Sequence, residues 1–218
     1  GVAGVSRIAG GPCGTGGFGP VAVASSDRYR QVAALHAANI NQGFLSTLGV
    51  PFLALMYEAI DLAEDSVLLT EEQDGRVLGF VSGGVGMGPI YLRMLRSPLR
   101  LTCALLPSLL RPRRVMRILD ILRYSQTQGN GAGWPKPELL SIAVESTARG
   151  TGVAQRLYRR LCSHFRERGI PAFRIIVGDS LAPAHRYYMR MGAKAVGHIE
   201  VHAGERSTVY VQAVGREV

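Results

Sequence analysis

Residues 138–165 read ELLSIAVESTARGTGVAQRLYRRLCSHF, and the order of features in them decides the fold. ELLSIAVE, an apolar run, reads as a buried strand. Gly150 and Gly152 follow, and then Val153, Leu157, Leu161 and Phe165 recur as one stripe of a helix over 152–168 that Gly169 ends. Glycine is a poor helix former, so two of them at a helix start point to a demand on the backbone itself. A strand, a glycine turn and a helix N-terminus make an anion cradle, with unpaired N–H groups and partial positive charge, and Arg149 adds a charged clamp. On spacing alone, a plain tight turn closing strand onto helix accounts for the glycines equally well.

Outward from this unit the chain keeps alternating. AFRIIVGD reads as a second strand, residues 182–191 as a short helix ended by Gly192, and AKAVGHIEV and STVYVQAV as strands joined near Gly204. Upstream, Val32, Leu35, His36 and Ile40 mark a helix from Ser26. A second helix runs from Pro51 to Ala63, with Phe52, Leu55, Met56 and Ile60 on one face. Asp74-Gly75 between two β-rich runs signals a hairpin. The expected class is therefore α/β (α+β), a central mixed sheet flanked by helices.

Residues 149–154, RGTGVA, fit the pattern [Q/R]-x-x-G-x-[G/A], and they follow a strand that ends Ile142-Ala143-Val144. LAPAHRYYMRMGA, residues 181–193, fits N-x-x-A-x-x-[L/F]-Y-x-x-x-G-F at Ala184, Tyr187, Tyr188 and Gly192, with Leu181 in place of Asn and Ala193 in place of Phe. Together these segments resemble the GNAT superfamily of acetyl-CoA-dependent N-acetyltransferases. The resemblance covers roughly residues 138–193 and implies the GNAT fold, to which the arginine-rich residues 89–124, read as short helices, add an extra basic helical insert before the central strand.

The resemblance also implies roles. Arg149, Gly150, Thr151, Gly152, Val153 and Ala154 hold the CoA pyrophosphate. Backbone N–H groups of Ile142, Ala143 and Val144 bind the acetyl carbonyl near a bulge that splays two parallel strands, with Ile142 the best single amide. Ala184 and Tyr188 line the cofactor, and Tyr188 is the general acid for the departing thiolate. Glu138, at the start of the central strand, is the candidate base; a solvated carboxylate is the plainer account of it. Strand alternation puts Glu138, Leu140, Ile142 and Val144 on one face. Glu58 reads as a second carboxylate near the acceptor or as part of a solvated face, and Tyr187 reads as core. The departure at Leu181 keeps open a CoA-binding sensor without catalysis.

The 218 residues, 47% hydrophobic, fit one acyltransferase domain over 21–218 behind a flexible glycine-rich tail, 1–20. GTGGFG in that tail matches a dinucleotide pattern but lacks the flanking strand and helix. The net charge is +9, and residues 89–124 concentrate it, with eight arginines against one acid, Asp120. Three readings fit that stretch: a lid for an anionic acceptor, an amphipathic surface resting on anionic membrane, or ordinary packing with a solvated arginine face. Only Tyr91 and Tyr124 are aromatic there, which argues against nucleic acid. Cys13, Cys103 and Cys162 and the five histidines show no metal spacing, so no metal is expected; the resemblance implies acetyl-CoA (coenzyme A) as co-substrate. Free thiols, no leader pattern and no apolar run of ~18 residues give a cytoplasmic expectation, free or peripheral to the membrane, as monomer or homodimer.

Overall fold

A mixed sheet of six strands separates the helices into two layers. The computed structural model describes residues 25–40, 45–109, 133–202 and 205–215. The expected tail at 1–20 and residues 110–124 of the basic stretch lie outside them.

Helix α1 (Ser25–Asn39) and helix α2 (Val50–Asp61) precede strands β1 (Ser66–Gln73) and β2 (Arg76–Gly84). Asp74 and Gly75 take φ of 50° and 75°, the twist-matched turn that the Asp-Gly pair favours. Helices α3 (Gly88–Met94) and α4 (Pro98–Leu109) follow. Then come β3 (Glu138–Val144), α5 (Val153–Glu167), β4 (Ala172–Gly178), α6 (Ala182–Arg190), β5 (Lys194–His202) and β6 (Glu205–Ala213). The strand order is β1-β2-β3-β4-β6-β5, antiparallel except for the β3–β4 pair.

One face of the sheet carries α1–α4. Helix α2 is buried nearly all round, through Phe52, Leu53, Leu55, Met56, Tyr57, Ala59 and Ile60, because it is covered by its neighbours and by Phe80 of β2. The other face carries α5 and α6. Helix α5 buries Val153, Leu157, Tyr158, Leu161 and Phe165 and turns its arginines to solvent.

Helix α5 reaches β2 through two glycines. A Cβ at Gly79 would stand 2.9 Å from Val153 Cγ1 and 3.1 Å from the Ala143 carbonyl. One at Gly83 would stand 2.8 Å from Leu161 Cδ1 and 2.9 Å from Phe165 Cζ. The absence of side chains there lets the helix settle onto the sheet and fixes where its N-terminus lies. Gly83→Val should therefore lower unfolding stability by about 1–3 kcal/mol through overpacking, read as a lower urea midpoint at unchanged slope.

Candidate functional site

Strands β3 and β4 pair only at Glu138↔Arg174 and Leu139↔Ile175. Past that point β4 stays with β6 through Gly178, while β3 stays with β2 through Val144. The two parallel strands therefore splay into a wedge that opens at their C-terminal ends, where α5 and α6 begin. Ligands of parallel sheets bind at such ends.

A bulge shapes the wedge. The β2–β3 register steps from Ser82↔Ser141 to Gly83↔Leu139, which leaves Leu140 as the extra residue. Here the structure departs from simple alternation. Leu139, Ile142 and Val144 pack on the α5 side, whereas Leu140 and Ala143 pack on the α1–α2 side. Glu138, next to Leu139, accordingly faces the α1–α2 side and does not share a face with Ile142. The Glu145 amide donates to Leu78 of β2 at 2.8 Å. Amides along a strand alternate in direction, so those of Ile142 and Val144 point into the wedge.

The mouth of the wedge is the glycine turn. Gly150 and Gly152 have φ of 81° and 84°, a region in which a Cβ is strained. Gly152 is the left-handed N-cap of α5. Thr151 folds its hydroxyl back to the Ala148 carbonyl at 2.7 Å. The first helical bond runs from the Arg156 amide to the Gly152 carbonyl. Among the described residues, the amides of Gly150, Gly152, Val153, Ala154 and Gln155 donate to no backbone carbonyl. Arg156 lies over the turn, bonded to the Thr151 carbonyl at 3.1 Å and to Glu71 at 2.9 Å. The expected clamp, Arg149, is instead bonded to Asn39 of α1. Free amides, a helix N-terminus and two arginines suit a diphosphate.

Helix α6 stands beside this turn, since the Tyr187 hydroxyl donates to the Ala154 carbonyl at 2.9 Å. Ala184 and Tyr187 pack on the α5–α6 core. Tyr188 is 6% exposed and rings with Tyr158, Tyr187 and Tyr210. Burial pushes its hydroxyl well above the ordinary value of 10.0. That hydroxyl makes no hydrogen bond among the described residues. Leu181 caps α6 with no side-chain hydrogen bond.

Glu138 closes the apex of the wedge. Its carboxylate receives Arg174 Nε and Nη2, each at 2.8 Å. Burial outweighs the pull of Arg174 and holds the carboxyl above its ordinary value of 4.5. Glu58, on α2, is tied to Arg100 of α4.

One feature escapes sequence reading. His36 Nδ1 and the Tyr57 hydroxyl are 2.5 Å apart, Tyr57 and Ser141 hydroxyls 2.9 Å, and Ser141 and Ser82 hydroxyls 2.7 Å. The chain links α1, α2, β3 and β2 and holds the bulge from behind. Burial lowers His36 to about 4, so it is neutral at physiological pH. The available signal was polar residues at core positions of apolar patterns: His36 on the helix stripe, Ser82 and Ser141 inside buried strands.

Among the described residues, no group of His, Cys, Asp and Glu is arranged to hold a metal, and no helix is long and apolar enough to cross a membrane. Cys103 and Cys162 are free thiols.

A family profile, the acetyltransferase (GNAT) family, matches residues 38–193. No curated protein matches the sequence. Among solved structures, the chain is similar to an N-acetyltransferase from Staphylococcus aureus Mu50, at 14% identity and a TM-score of 0.56, over 88% of this chain and 96% of that one. It is also similar to an aminoglycoside 6'-N-acetyltransferase complexed with coenzyme A, at 12% identity and a TM-score of 0.54, over 87% of this chain and 92% of that one. At these identities the likeness is one of fold.

Because its folded-state pKa is raised, Glu138 favours the fold most below its unfolded value and loses that contribution as pH rises through the folded one. Arg174→Met removes the opposing pull and enlarges this loss. The variant should be close to wild type in acid and about 3 kcal/mol less stable at neutral pH, measured by urea unfolding across a pH series.

Proposed function

The chain belongs to the acetyltransferase (GNAT) family, and from that premise we propose that it moves an acetyl group from acetyl-CoA to an amine of a small-molecule, amino-sugar or peptide acceptor by direct attack. The observation that carries this reading is the wedge between β3 and β4 that ends at the free amides of the glycine turn. The wedge is a slot for a slender arm, and the turn is a seat for a diphosphate at its end. Acetyl-CoA would supply an activated thioester.

The chain's own groups then divide the work. Amides of Gly150, Gly152, Val153 and Ala154 hold the diphosphate, with Arg149 and Arg156 adding charge. The Ile142 amide donates to the acetyl oxygen, where negative charge develops during attack. Ala143 and Val144 fix that amide in the strand, and Ala184 walls the slot from α6. Tyr188 delivers its proton to the departing thiolate. Burial keeps its hydroxyl protonated at physiological pH and also makes it a weaker acid, so delivery requires the thiolate within hydrogen-bond reach. Glu138 is the proposed base, since burial makes its carboxylate more willing to take a proton. It stands four residues along the strand from Ile142, roughly 13 Å, so the acceptor's proton reaches it through water.

Calorimetric titration with acetyl-CoA tests the seat. Wild type should bind at micromolar level. Gly152→Trp, strained at φ 84° and crowding the turn, should lose at least about a hundredfold in affinity. No binding to wild type would end this reading.

Screening amines by CoA release tests the chemistry. With an acceptor so found, Tyr188→Phe should bind acetyl-CoA as wild type does and lose roughly a hundredfold in kcat. Binding without turnover of any amine would favour the CoA sensor, the reading that the uncapped Leu181 leaves open.

A further inference from the structure

Helices α3 and α4 turn two different faces. Ile90, Met94 and Ala104 are buried against α2, and Tyr91, Leu101 and Leu105 pack beside them. The outer side is not polar. Leu92, Leu95 and Leu99 are 68%, 60% and 81% exposed. Isolated exposed leucines are ordinary, but clustered ones mark a surface with a partner. Val85, at the end of β2, is also exposed and lines a cleft with Leu92.

Arginines interleave with the leucines. Arg93 and Arg96 make no ion pair among the described residues, and Arg100 is held by Glu58. No acid occurs from Val85 to Leu109. An open cleft of about 370 Å³ lies beside α3, lined by Val85, Leu92, Arg93 and Arg96 together with Glu64 and Asp65. Arg93 and Arg96 thus stand beside the exposed Leu92.

We propose that the α3–α4 corner docks onto an anionic lipid bilayer, with Leu92, Leu95 and Leu99 entering the interface and Arg93 and Arg96 meeting the headgroups. The chemistry distinguishes this partner from others. Arginine stems can lie along apolar surface while their heads reach phosphate. An amphipathic helix that buries leucines at the acyl boundary and keeps cations at the headgroups binds anionic interfaces by both terms. Protein interfaces, in contrast, exclude charge from their apolar centres. Nucleic acid calls for stacking aromatics, and the single aromatic in this corner, Tyr91, packs inward. The proposal is independent of the acetyl-transfer reading.

Sedimentation of the full chain with vesicles tests it. Vesicles of phosphatidylcholine alone are compared with vesicles in which a third of the lipid is phosphatidylglycerol. Wild type should sediment with the anionic vesicles only, and added salt should weaken this. The variant Leu92→Ser, Leu95→Ser, Leu99→Ser changes exposed positions and should keep the wild-type unfolding midpoint. It should lose roughly tenfold or more in partitioning. Met189→Ser with Val196→Ser, exposed apolar residues on α6 and β5, should partition as wild type does. The proposal is overturned by failure of wild type to sediment with anionic vesicles. It is equally overturned by a leucine variant that binds undiminished, which would leave arginines elsewhere in the chain as the cause. A wild-type dimer that the leucine variant converts to monomer, with no vesicle binding, would show a second copy on this surface instead.

Discussion

Two parallel strands that begin to pair and then cannot continue set the terms for the molecule. Backbone amides in a sheet interior are costly to leave without partners, so β3 and β4 would zip closed if each were free to move. Neither is. Strand β4 is pinned by its full ladder with β6. Strand β3 is pinned by β2 and by the bulge at Leu140. The Glu138–Arg174 pair fastens the one point where the strands meet. What remains is a sheet with an incomplete ladder, and a ligand carrying amides can complete it.

The second requirement is that the helix after β3 starts at the mouth of that gap. Helix α5 meets it because Gly79 and Gly83 remove the side chains that would hold it off the sheet. The same closeness commits the turn between β3 and α5 to left-handed glycines, since a short connection must reverse direction there. Binding geometry and core packing are thus two results of one placement.

Much of this was legible in the residues. The stripe of Val153, Leu157, Leu161 and Phe165 and the Asp74-Gly75 turn gave elements that match the structure within a residue or two, because local periodicity and turn chemistry set them. The glycine turn was legible because its dihedrals admit few other residues. What was not legible depends on register. Alternation along β3 misplaced Glu138 relative to Ile142, since a bulge leaves no mark in residue type at Leu140. The contact of Arg149 with Asn39 spans 110 positions, which no local pattern encodes. The contacts of Tyr188 with three other tyrosines come from α5 and β6 as well as its own helix, and no spacing encodes that convergence.

The hydroxyls and imidazole behind the bulge carry a different consequence. His36, Tyr57, Ser141 and Ser82 bond in series, so exchanging an inner member, Tyr57 or Ser141, for an apolar residue strands an end of the chain in the core. Exchanging all four for apolar groups of matching shape would strand none. The four positions are therefore coupled in stability, and a change at one alters what its neighbours can tolerate.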